Sequence, residues 1–143
     1  MNSQLFRRKN TIFTALIFLN SKRTKENYTT MTITIKKVTT KKELKKFIRF
    51  NYELYKDNPY SVPDFSDDML NTFNPKKNPA FEFCEAEYFL AYKGEEIVGR
   101  VAAIINHRAN DTWNKKEVRF GWLDFIDEEE VSSALLKAVE QWG

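Results

Sequence analysis

Two β-forming runs joined by a short turn constrain this chain more than anything else in it. Glu87-Tyr88-Phe89-Leu90-Ala91-Tyr92 comes first, Lys93-Gly94-Glu95-Glu96 follows, and Ile97-Val98-Gly99-Arg100-Val101-Ala102-Ala103-Ile104-Ile105 returns. Gly94 takes positive φ without a Cβ penalty, so the turn closes tightly and the runs form an antiparallel hairpin. Gly99, inside the returning strand, marks a bulge or a close backbone approach. A lone hairpin is marginal in water, so the flanking sequence must supply further strands and helices to cover it.

The flanks do so. Thr32 to Val38 alternates polar with β-branched apolar residues, the pattern of a half-buried strand. Thr40-Lys41-Lys42-Glu43 reads as a capping box. Leu44, Phe47, Ile48, Leu54 and Tyr55 then share one helical face with Asn51, while Lys45, Lys46, Arg49 and Lys56 take the opposite face. Pro59 ends this helix before Asn58. Residues 58 to 80 hold all four prolines, and Asp67 to Leu70 fits one helical turn. The rest reads as an ordered loop packed down by Tyr60, Phe65 and Phe73, either a substrate-side lid or a connector. Asn106 to Lys116 reads as a polar loop and Val118 to Phe125 as a strand. Asp127 then caps a last helix, with Glu130 as its box partner. Val131, Ala134, Leu135, Ala138, Val139 and Trp142 form its apolar stripe, and the acids at its start suit the dipole.

Charge and cysteine usage narrow the function classes. Lys and Arg number 23 against 20 Asp and Glu, and this +3 balance is too small to imply nucleic acid. Hydrophobic residues make up 42% of the chain, 12 of them Phe, which suffices for a core and excludes a disordered chain. Cys84 is the single cysteine, so no intrachain disulfide forms, and a reduced, cytoplasmic setting is expected. Beside Phe83 it reads as a buried small hydrophobe rather than a nucleophile. His107 is the one histidine, a loop residue with no partners at metal-ligand or catalytic spacing, so no metal is expected.

Residues 1–30 form an atypical extension to a domain spanning 31–143. Arg7-Arg8-Lys9 precedes the apolar run Ile12 to Leu19. The outline is that of a leader, but no Ala-x-Ala-like site follows, and the run falls far short of the ~20 residues that cross a bilayer. Met31 as the true start, or a weak membrane-surface anchor, are the other readings. Membrane association is not expected.

The order strand, helix, irregular loop, hairpin, strand, helix resembles the front part of the GNAT N-acetyltransferase fold, an α/β architecture with a mixed sheet. The likeness is carried by Ile97 to Ala102, by Gly121-Trp122-Leu123-Asp124-Phe125, and by Ala134 to Trp142. It is nearest to large bacterial GNAT-like proteins. The resemblance implies acyl transfer from acetyl-CoA to an amine-bearing small molecule or peptide. Leu123, Asp124 and Phe125 would lie along the pantetheine arm, and Val131, Ser132 and Ser133 would face the phosphates. It supplies no assigned catalytic residue; Glu85, Glu87 and Asp124 are the available carboxylates. The family's Gly-rich pyrophosphate loop is replaced by Asp127-Glu128-Glu129-Glu130-Val131-Ser132-Ser133-Ala134, whose carboxylates repel a phosphate. The fold would need at least three more strands and a helix beyond Gly143. The chain therefore reads as a truncated or partial form, with Leu135, Val139 and Trp142 partly exposed. A second chain or a homo-oligomer would cover them. The alternative is a non-catalytic fragment or interaction module that needs a partner chain to complete its sheet.

Overall fold

The computed structural model describes residues 32–143. The leader-like stretch and the choice between Met1 and Met31 lie outside the described residues. In chain order the elements are β1 (Ile33–Lys37), α1 (Lys41–Tyr55), α2 (Ser66–Thr72), a 3-10 turn (Pro79–Glu82), β2 (Cys84–Lys93), β3 (Glu96–Asn106), α3 (His107–Trp113), β4 (Arg119–Phe125) and α4 (Glu129–Trp142). The sheet order is β1-β2-β3-β4, and every pair is antiparallel. A mixed sheet was the expectation; among the described residues there is no parallel pair. No helix of the described residues is long and apolar enough to cross a membrane.

The expected hairpin is the centre of the sheet and is longer than its sequence pattern suggested. Lys93 pairs with Glu96, leaving a two-residue turn in which Gly94 has φ 62°. Positive φ at the first turn position is the type II′ geometry, whose twist matches that of the strands. Pairing steps from Ala91 opposite Gly99 to Tyr92 opposite Ile97, so Val98 is an extra, bulged residue. Gly99 also answers a close approach from the helix above. A Cβ there would lie 2.8 Å from Leu135 Cδ1, 2.9 Å from Val131 Cγ1 and 3.1 Å from Phe125 Cβ.

Strand alternation divides the apolar residues between two faces. Leu90, Tyr92 and Ala102 pack with Phe47 and Ile48 of α1 and with Met69 and Phe73. Phe89, Ala91, Val101 and Ala103 pack with Val131, Leu135 and Val139 of α4. This corrects the expectation for the last helix. Leu135 and Val139 are buried, and Trp142 is partly so, because the centre of the chain's own sheet offers them Phe89, Ala91, Val101 and Ala103.

Four further differences have local causes. The cap of α4 is Glu128, not Asp127, and no side chain bonds its free N–H groups, so the Asp127–Glu130 box is absent. Lys93 instead holds both Glu128 oxygens at 2.8 Å. The polar stretch after β3 is helical. Asn106 Oδ1 accepts from Ala109 N–H at 2.9 Å, and Asn114, at φ 47°, closes the helix in the left-handed region. His107 is thus the first residue of α3 rather than a loop residue. In the proline-rich segment α2 outruns the single expected turn, and only Phe73 packs down; Tyr60 and Phe65 point into solvent.

The Thr40–Glu43 capping box forms as read. Glu43 accepts from the backbone N–H of Thr39 and of Thr40, each at 2.9 Å, and from both hydroxyls. The backbone bond from Thr39 and then that from Thr40 pull its carboxyl from the ordinary 4.5 down to about 2. A lowered folded-state value means stability that is present above pH 4.5 and lost as pH falls toward 2. A Glu43→Gln variant is therefore expected to lose the part of the pH dependence of unfolding that falls between pH 4.5 and 2. An unchanged acid limb in denaturant melts would contradict this. Gly99→Ala is expected to destabilise by about 1–3 kcal/mol through overpacking against α4, read as a lower unfolding midpoint.

Candidate functional site

Arg100 is a cation in the middle of an apolar strand, and only 3% of its side chain is exposed. A charge so placed must be paired. Its partner is Asp124, directly opposite on β4. Arg100 Nε and Nη2 each lie 2.7 Å from Asp124 Oδ2. Nη1 donates to the carbonyls of Phe47, at 2.8 Å, and Ile48, at 3.4 Å. Asp124 also accepts from Asn51 Nδ2 at 3.2 Å and from the Tyr55 hydroxyl at 3.1 Å. Burial first, and the Asp124 charge second, push the Tyr55 phenol up, so it stays a donor. Asn51 and Tyr55 were legible as residues on the inner face of α1. The pairing was not assigned from sequence, although a lone Arg in an apolar strand is the signal that a buried acid must face it.

Next to Asp124 the strand is distorted. Arg100 pairs with Asp124 but Ala102 with Gly121, so two residues of β4, Trp122 and Leu123, face Val101 alone. Trp122 sits at φ 48°, a left-handed conformation that a bulky residue adopts at a cost of about 1–3 kcal/mol. The twist turns its indole onto the α1 face, where it meets Phe73 with ring centroids 4.8 Å apart. Phe73 in turn meets Tyr88 at 5.0 Å and Phe47 at 5.6 Å. Burial pushes the Tyr88 phenol up to about 12.

The residues implicated by the sequence fall in unlike surroundings. Leu123 and Phe125 pack toward α4, and Asp124 points to the opposite face. Val131 turns its side chain fully into the core, so it offers an anion no more than backbone. The Ser132 hydroxyl is bonded to the Glu129 carbonyl at 2.9 Å, and Ser133 is exposed. Of the three carboxylates, Glu87 pairs with Lys37, Glu85 lies 2.8 Å from His107 Nε2, and Asp124 is held by Arg100. Asp124, next to last in β4, is therefore the hub of a part-buried network. Among the described residues no group of three His, Cys, Asp or Glu is placed to hold a metal.

Comparison with known proteins gives partial relatives. The chain is 34% identical over 102 residues to Protein YghO of Escherichia coli, covering 71% of this chain and 26% of that protein. It is 31% identical over 106 residues to the bacterial ceramide synthase of Caulobacter vibrioides, covering 73% of this chain and 28% of that protein. The chain thus spans about a quarter of the length of these relatives. No protein-family model matches it. No solved structure matches it.

Truncating Asp124 to Ala leaves Arg100 buried and unpaired, an expected loss of about 3–5 kcal/mol in denaturant unfolding. The double variant Arg100→Met with Asp124→Leu is expected to recover most of that loss. A double variant as unstable as the single one would show that packing, not charge, dominates at this position.

Proposed function

We propose that this chain is the leading part of a GNAT-type acyltransferase that moves an acyl group from a coenzyme A thioester to an amine. The observation that carries the reading is the strand–helix junction between β4 and α4, which follows an antiparallel meander with helices on both faces. A relative named for ceramide synthesis supports it, since a ceramide is a long-chain amino alcohol acylated on nitrogen. In this reaction the amine nitrogen attacks the thioester carbonyl, the C–S bond breaks, the thiol leaves and a base takes the amine proton. A strand N–H beside the bulge at Trp122 would hold the carbonyl oxygen. Acetyl-CoA is the donor first implied; the ceramide relative favours a longer acyl-CoA. Glu128 is already neutralised by Lys93, which reduces the repulsion that the acidic helix start presents to a pyrophosphate.

Thermal unfolding with acetyl-CoA and with a long-chain acyl-CoA tests this. A donor at a hundredfold excess over its Kd is expected to stabilise by about 2.7 kcal/mol. No shift with either donor at millimolar concentration would remove the reading for this chain. A second reading, an interaction module completed by a partner chain or a second copy, is favoured by one observation. Among the described residues β4 pairs with β3 alone, and Phe120 stands 57% exposed on it. It predicts no acyl-CoA shift together with a concentration-dependent change of mass in solution.

A further inference from the structure

On the α1 face, beyond the Phe47–Phe73–Tyr88 cluster, the sheet and the proline-rich segment line a slot of about 110 Å³ that is open to solvent on one side. Phe73, Phe81, Ala86, Tyr88, Ile104 and Trp122 wall it, and Cys84 lines one part. Ala86 is paired with Ile104 across the β2–β3 ladder, so two strands form its floor. Trp122 reaches it through the left-handed bulge, and the 3-10 turn at Pro79–Glu82 supplies Ala80 and Phe81. Cys84 is only half-buried, so the slot communicates with solvent.

The slot is mostly apolar, and the polar groups of its two polar lining residues are already bonded. Thr72 Oγ1 donates to the Asp68 carbonyl at 2.9 Å, and Asn78 donates to the Thr72 carbonyl at 2.8 Å and accepts from Ala80 N–H at 3.0 Å. Among the described residues no buried side-chain nitrogen or oxygen lacks a partner, so nothing in it calls for a bound water. For scale, an apolar cavity of ~150 Å³ is large enough to take benzene. At ~30 Å³ for each water-sized group, this slot holds about three or four methylenes. Its small floor residue and its flat aromatic walls suit a narrow, unbranched chain better than a ring.

We propose that this slot binds the methylenes of an unbranched alkyl chain, the apolar part of a long-chain amine or of an acyl group. Only the identity of the chain's head group rests on the acyl-transfer reading; the slot itself does not. The strained bulge at Trp122 and the buried pair beside it then have a common use. They hold an aromatic wall in place next to the strand where acyl transfer is proposed.

Cys84, the single cysteine of the chain, reports on occupancy. The experiment measures the rate at which iodoacetamide alkylates Cys84 in the full chain, with octylamine or octanoate added below its micellar concentration. Methylamine and acetate serve as chainless controls. The proposal expects at least a threefold slowing by one or both octyl probes and none by the controls. Stronger protection by octylamine assigns the slot to the amine, and stronger protection by octanoate to the acyl group. Equal rates with and without both octyl probes overturn the proposal. Ala86→Leu fills the floor and is expected to abolish the ratio of protected to unprotected rates while circular dichroism stays native. Protection that persists in that variant places the chain elsewhere and also overturns the proposal. Should Ala86→Leu fail to fold, Ala80→Leu fills the slot from the opposite wall. Protection without any acyl-CoA shift in thermal unfolding would keep the slot and remove the acyl-transfer reading; the reverse pattern would remove the slot alone.

Discussion

The Arg100–Asp124 pair is the interaction on which the rest of the α1 side depends. It joins neighbouring strands, and through Nη1 and the Asn51 and Tyr55 side chains it ties α1 to both. A buried ion pair is weak evidence for added stability, because desolvating two charges offsets much of their attraction. Its value here is positional. Four donors converge on one carboxylate, and sliding or rotating α1 would strip Asp124 of its Asn51 and Tyr55 donors and Arg100 Nη1 of its carbonyl acceptors. The register of β4 against β3 is fixed in the same way, since a one-residue slip would carry Asp124 to the other face.

The two faces of the sheet consequently differ in character. The α4 face is apolar at its centre, with the Lys37–Glu87 and Lys93–Glu128 pairs at its margin, and Gly99 lets the helix approach so closely that Leu135 and Val131 fill the space a side chain would need. The α1 face is heterogeneous: an aromatic cluster, an ion pair, a strained tryptophan and an unfilled slot lie along it within a few residues of one another. Backbone strain is a cost that a purely structural layer has no reason to keep, and the left-handed Trp122 places it on the α1 face rather than beneath α4.

That placement changes the weight of the residues first implicated. The acidic start of α4 is not a ready anion cradle: Val131 is core, Ser132 is bonded within its own turn, and Glu128 is paired with Lys93. Asp124 moves from one of three available carboxylates to the centre of a network. The relatives extend well beyond the length of this chain, so the elements that would complete a cleft against the outer edge of β4 are sought in that wider context.

The sequence by itself determined the local elements. The hairpin followed from Gly94 and the flanking β-rich runs, α1 from its capping box and its apolar spacing, and the close approach at Gly99 from a glycine set in a strand. Each rests on neighbours within a few residues. Where the reading stopped short, the deciding contact was remote or the competing signal was subtle. The helix after β3 needed Asn106 and Asn114 at its ends, which look like loop residues until both caps are seen. The partner of the α4 cap residue, Lys93, lies 35 residues away in the chain. The burial of the last helix depended on which sheet face it meets. Only the tertiary structure decided that Arg100 and Asp124 oppose each other, that Trp122 is turned through a bulge, and that a slot opens between them and the proline-rich segment. Strand pairing and packing place those atoms together, and no residue's own pattern carries that information.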